Sequence, residues 1–430
     1  MSSPTPPKDI VIIGGGIIGS CSAYYLSHHP SYNPSTTRIT LLEATKIAGG
    51  ASGKAGGLLA LWAYPSSIVP LSFQLHKELA EQYGGKERWG YRGVYAGQID
   101  VNAKGRKAKG PTNPAADRPT DEKDGGATGT DGSRVSLQKR SKDAMALLQK
   151  AGVPKDLDWV IPEGVEGYNT MGDPSTTAQV HPYLFTTAMV EEAQKKGVNV
   201  IFGGAETINK SNGAVESVTY TDKETGDKKE IKADIVVLAA GAWCPNILPE
   251  APITNIRAHS VTIRPTRDVS NHILFTSIQL PSDFQSASED TKQGVVGPRK
   301  GHGQTVTPEI YARPNNEVYA CGEGDSLAPL PKSTDDVEVV EGRCQDIIDY
   351  VSAVSDELRD GEVTARQACY LPLGGPLIGN TGTKGLILAS GHTCWGIQNA
   401  PGTGKLVSEL IWEGKAKSAK IGALDPTRVM

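Results

Sequence analysis

Three glycines, one carboxylate and a second glycine-rich turn are the residues of this chain whose types and spacing suit chemistry. In "DIVIIGGGIIGSCSAYYL", residues 9–26, Gly14, Gly16 and Gly19 fit G-x-G-x-x-G directly after an apolar run. Such glycines allow a tight turn, close approach of backbone to a pyrophosphate, and close packing of helix on strand. The helix that would begin at Ile17 and Ile18 offers N–H donors and a partial positive charge to phosphates. Taken alone, the motif also describes an ordinary glycine-rich bend. Glu43, closing "RITLLEA" just before Ala44, supplies an acid able to accept both hydroxyls of an adenosine ribose. It stands somewhat beyond the usual spacing of about 20 residues, and the loop "PSYNPSTT" accounts for the excess. Its charge repels a 2′-phosphate, which disfavours NADP.

The stretch "GGASGKAGGLLALWAYP", residues 49–65, separates NAD from FAD. An NAD dehydrogenase has no need of a second glycine turn so soon after the ribose acid. A flavin is held along its whole length, and Ser52, Gly53, Lys54, Gly56, Gly57 and Leu58 form a small-residue loop that can follow it. A flexible surface loop is the plainer reading, but Leu58 to Ala63 is too apolar for water. The late "GTGK" is no Walker loop, because Asn399 stands where glycine is needed and Leu406 where Ser or Thr is needed.

These residues need elements to place them. Residues 9–13 read as a strand buried on both faces, followed by a helix and by a second strand ending at Glu43. "YLFTTAMVEEAQKKG" reads as a helix, and "VNVIFG" and "DIVVLAAGAW" as further buried strands. Residues 256–320 read mainly as strands and loops, suiting a mixed or antiparallel sheet. Residues 101–134 hold almost no large apolar side chain and read as a mobile surface insertion and a possible contact for a protein partner. At 430 residues the chain exceeds one ordinary core.

Several function classes are disfavoured by bulk properties. A net charge of -4 and a pI near 6.1 give no field to attract nucleic acid or an anionic membrane. The first apolar run is too short to span a bilayer, "MSSPTPPKD" is no leader, and "RVM" is no peroxisomal address, so a soluble, cytoplasmic protein is expected. Six scattered cysteines without a CxxC pair suggest neither a disulfide framework nor a metal site.

With "VIIGGGIIG", "TLLEA", "ASGKAGGLLA", "DIVVLAAGAW" and "GLILASGHTCWGIQNAPGTGK" in this order, the chain resembles the D-amino-acid oxidase superfamily, which includes the glycine and sarcosine oxidases. "ASGKAGGLLALWAYP" and "VHPYLFT" are most similar to a fungal group of oxidoreductases within it. The resemblance implies an α/β fold, a Rossmann-like FAD-binding domain interleaved with a mixed-sheet substrate domain. The FAD-binding parts would be 1–84, 173–255 and 362–430, and the substrate parts 85–172 and 256–361. It implies FAD, held noncovalently, with a thioether to Cys369 as the alternative. Gly14, Gly16 and Gly19 would meet the pyrophosphate, Glu43 the ribose, and Ser52, Gly56 and Gly57 the pyrophosphate and flavin edge. Gly241 and Trp243 would close a turn beneath the adenosine half. A loop over Gly396–Gly404, with Gly391, His392, Ile397 and Gln398, would approach the flavin.

The reaction implied is hydride transfer from a carbon beside an amine nitrogen to flavin N5, giving an imine that hydrolyses. An acid substrate would want an arginine for its carboxylate. Arg313 and Arg366 are the candidates, with Tyr311, Tyr370, Trp395 and Gln398 as pocket walls. His259 is another candidate, more plainly read as structural. The rival function is a flavin fold kept for a regulatory or endosomal-trafficking role with little turnover.

Overall fold

In a computed structural model, the structure describes residues 8–103, 142–288 and 304–430. From residue 104 on, the insertion expected over 101–134 lies outside the described residues.

Asp9–Ile13 is the central strand its unbroken apolar run requires, with Ile10 to Ile13 buried. It pairs in parallel with Arg38–Glu43 on one side and Ile235–Leu238 on the other. Asn199–Ser211 and Leu386–Ser390 extend the parallel sheet outward. Antiparallel strands complete both edges: Ala214–Asp222 then Lys228–Lys232 at one, Leu377–Asn380 at the other. A second, mixed sheet runs in the order Glu362–Leu373, Thr254–Arg264, Glu317–Asp325, Glu309–Arg313, His272–Gln279, Tyr95–Asn102, Val165–Gly172. This is the expected α/β class with a Rossmann-like sheet and a mixed one. One boundary differs from expectation. Glu362–Leu373, assigned from sequence to the last FAD-binding part, pairs along the whole of Thr254–Arg264, so the mixed sheet continues past residue 361.

The helix Ile17–Ser27 lies on the parallel sheet and is buried along nearly its whole length. Gly19 makes that approach possible, since a Cβ there would overlap the Gly14 carbonyl oxygen. The C-terminal segment departs from the reading of a loop over 396–404, because Gly396–Glu413 is one helix with Pro401 inside it. A helical proline leaves the carbonyl four residues earlier without its backbone donor. Here that is Ile397, and His76 Nε2 donates to its oxygen at 2.9 Å. A buried imidazole from the helix Val69–Tyr83 thus repairs the break that the sequence suggested.

Candidate functional site

The strand Asp9–Ile13 ends at a turn whose donors and acceptors are arranged around Glu43. This buried carboxylate accepts from Gly15 N at 2.7 Å and from Thr45 N at 2.8 Å. A carboxylate offers about four acceptor sites, so capacity for further donors remains. Ser52 Oγ accepts from Ile17 N at 2.9 Å, capping the first helix from another segment of the chain. The remaining first-turn N–H groups have no acceptor within the helix. Thr45 Oγ1 meets Thr334 Oγ1 at 2.5 Å, and Trp243 Nε1 donates to the Pro331 carbonyl at 2.8 Å. Both contacts fasten the 331–334 segment over this end.

From here a cavity of about 480 Å³ extends toward the mixed sheet. Its lining includes Gly14, Gly16, Ile17, Ile18, Glu43, Ala44, Ser52, Lys54, Gly56, Gly57, Leu58, Gly241 and Trp243. Tyr370 lies against Trp243 at 6.3 Å, and toward the mixed sheet come Phe275, Glu309, Tyr311, Tyr319, Cys321, Cys369, His392, Trp395, Gly396 and Ile397. The sheet register places the far wall. Phe275 pairs with Glu309, Glu309 with Cys321, and Cys321 with Ser260, forming one row across four strands. Tyr311 and Tyr319 pair in the next row on the same face. The Tyr311 hydroxyl donates to Glu309, and burial keeps that phenol protonated, far above its ordinary pKa. The Trp395 ring meets Trp62 edge-on at 5.5 Å and Tyr64 at 6.0 Å near the mouth. Gly57 takes φ +92°, and a Cβ there would overlap the Val180 carbonyl oxygen, so only glycine fits this turn.

Three polar groups on the lining respond to burial. Lys54 Nζ donates to the Ala368 carbonyl at 2.8 Å, and desolvation lowers its pKa. The neighbouring Cys369 thiol is pushed up to about 11 by burial, against the pull of Lys54. His392 bonds Thr403 Oγ1 through Nε2 at 3.0 Å, while its buried Nδ1 has no partner. Burial drives this imidazole down to about 3, so it is neutral at pH 7.

Several predicted residues lie off the lining. The Arg313 guanidinium donates to the Ala55 and Gly56 carbonyls and to Glu317, and stacks over Tyr319 at 4.6 Å. It clamps the Ser52–Leu58 loop from behind. Arg366 donates to Gln345 at 2.7 Å and lies 3.4 Å from Glu341. Gln398 is fully buried, accepting from Ala60 N at 2.7 Å. Gly19, inside the first helix, and Gly53 and Gly391 in neighbouring turns do not line the cavity. His259 accepts from Val340 N at 3.1 Å, a structural role. Sequence reading missed Glu309, Phe275, Tyr319, Cys321 and the 332–334 segment. A signal for Glu309 was present: it sits two residues before Tyr311, on the same strand face.

A family model described as FAD dependent oxidoreductase matches residues 9–410. The chain belongs to the DAO family of FAD-dependent oxidoreductases. Two fungal proteins with oxidoreductase names are similar along nearly the whole length. TDA3 of Saccharomyces cerevisiae is 36% identical, covering 97% of this chain and 94% of its own. C1F5.03c of Schizosaccharomyces pombe is 34% identical, covering 97% and 98%. The fold resembles L-proline dehydrogenase from P. horikoshii, with a TM-score of 0.65 at 18% identity over 99% of this chain and 98% of that one. Glycine oxidase from Bacillus cereus gives 0.62 at 18% identity over 95% and 96%.

The DAO-family cofactor fits what the cavity presents. A capped helix terminus, a ribose-type acid with spare acceptor sites and an orphaned buried imidazole nitrogen lie along one continuous space. Among the described residues no helix is long and apolar enough to cross a membrane, and no cluster suits a metal ion.

Proposed function

We propose that this FAD-dependent oxidoreductase oxidises a C–N bond of a small amine or amino acid in the cytoplasm. Bound FAD supplies the acceptor for a hydride leaving a carbon beside nitrogen. The observation that carries the reading is the single cavity joining the Glu43 and Ile17 end to a chamber walled by Tyr311, Tyr319, Phe275 and Trp395. Gly14, Gly16 and the first turn at Ile17 and Ile18 would hold the pyrophosphate, with Ser52, and Glu43 the ribose. Gly396 and Ile397 bring a helix N-terminus to the far end, where its partial positive charge favours developing negative charge. The aromatic walls exclude water and orient the C–H bond. We take cofactor attachment to be noncovalent, a reading supported by the burial of the Cys369 thiol, which raises its pKa and disfavours the thiolate.

Anaerobic mixing of the flavin-loaded protein with a panel of amines and amino acids tests this. Bleaching of the flavin absorbance by any member supports oxidation. The displacement of Arg313 and Arg366 from the cavity favours a second reading, a regulatory or endosomal-trafficking protein with little turnover. Failure to bleach across the panel selects it. After acid precipitation, colour in the supernatant supports noncovalent attachment, and colour in the pellet points to Cys369.

A further inference from the structure

The chamber walls carry an acid without a matching base. Glu309 faces the cavity from the centre of its cross-strand row, receiving the Tyr311 hydroxyl and lying 3.9 Å from Cys321 Sγ. Both neighbours are neutral donors, so they satisfy lone pairs without offsetting a charge. Burial pushes the Glu309 carboxyl pKa upward, as expected for an acid that lacks a nearby cation. Arg313 follows on the same strand face but is turned to Ala55, Gly56 and Glu317. Among the described residues, the only Lys or Arg side chains on the cavity wall are Lys54, which gives one bond to the Ala368 carbonyl, and Lys332; His392 also lines it but is neutral. Lys332 lies on the segment over the Trp243 end, away from this row.

We infer that this chamber recognises a cationic amine without a carboxylate, through Glu309 and the faces of Tyr311, Tyr319, Phe275 and Trp395. The inference rests on the amine-oxidising reading and names its substrate class. A substituted ammonium finds here a carboxylate for its N–H and aromatic faces for its alkylated, positively charged carbons. An amino acid brings a carboxylate that meets Glu309 as a like charge and finds no arginine fork among the described residues.

The test titrates the flavin-loaded protein, anaerobically, with matched pairs that differ only by the carboxylate: pyrrolidine against proline, and dimethylamine against sarcosine. Perturbation of the visible flavin spectrum reads binding, and bleaching reads turnover. Each amine is expected to bind about tenfold or more tightly than its carboxylated partner. Glu309→Gln, which keeps an acceptor for Tyr311, is expected to close that gap, and Glu309→Asp to restore part of it. Equal or tighter binding of the amino acids, binding of neither amine, or an unchanged ratio in Glu309→Gln overturns the inference. So does a Glu309→Gln protein that only loses flavin while the ratio persists. If the variants do not fold, the ratio measured on the natural protein decides. A binding gap without bleaching removes the oxidation reading and leaves the recognition standing. Bleaching with amino acids preferred does the reverse.

Discussion

Glu43 serves the fold with both oxygens and, on the proposed reading, the ligand as well. Its bonds to Gly15 and Thr45 orient the glycine turn, and its spare acceptor sites face the cavity. Glu43→Ala is therefore expected to destabilise the protein by about 1–3 kcal/mol through unpaired N–H groups. It should also weaken FAD retention by about tenfold or more, since bonds to a charged acceptor are lost. Flavin content after dialysis checks this, and unchanged content counts against the ribose role. A second residue-scale expectation concerns pH. Burial lowers His76 to about 4 and His392 to about 3, from an ordinary 6.5. The unfolded chain takes up these protons near pH 6.5, while the native protein resists them for several units. Stability then falls as pH drops below 6.5, by about 1.4 kcal/mol per pH unit for each imidazole. In thermal unfolding between pH 6.5 and 4.5, His392→Gln should show a shallower decline than the natural protein. An identical slope would count against a neutral His392.

Among the elements, the glycine turn and the Ser52–Leu58 loop do most to position the cavity. Gly19→Ala forces a methyl into the Gly14 carbonyl and should cost about 1–3 kcal/mol by overpacking, read as a lower Tm. Arg313→Lys loses the fork that spans two loop carbonyls. It should lower both Tm and flavin retention, yet leave the ratio of amine to amino-acid binding unchanged. A selective loss of amino-acid binding would instead return Arg313 to the substrate role expected from sequence. The turn and its acid were legible because the fingerprint is local: Gly14, Gly16, Gly19 and Glu43 sit within one strand, helix, strand unit. Ser52 was legible as part of a small-residue loop but not as a helix cap, since its partner Ile17 is brought to it only by the fold. Arg313, Arg366 and Gln398 were misplaced for a related reason. Which way a long side chain turns depends on the strand or helix across from it, and no motif records that. Glu309 was missed because its one local signal, a strand face shared with Tyr311 in "TPEIYAR", does not mark that face as a cavity wall until Cys321 and Phe275 pair beside it.

For the molecule as a whole, the cofactor is part of the stability as well as of the chemistry. A ligand bound only by the native state adds about 2.7 kcal/mol at a free concentration of one hundred times its Kd. Stripping the flavin should lower the Tm, and adding FAD back should restore it; equal melting with and without FAD would contradict binding in the cavity. The order of assembly follows from where the late strands go. Glu362–Leu373 completes one edge of the mixed sheet along Thr254–Arg264, and Leu386–Ser390 then joins the parallel sheet beside Ile235–Leu238. During synthesis, neither sheet can close until these strands leave the ribosome. The nascent chain therefore waits with two unpaired strand edges and a half-built cavity, a state prone to aggregation. Emergence of both late strands, rather than of either sheet alone, becomes the event that permits folding, and chaperones would matter most in the interval before it.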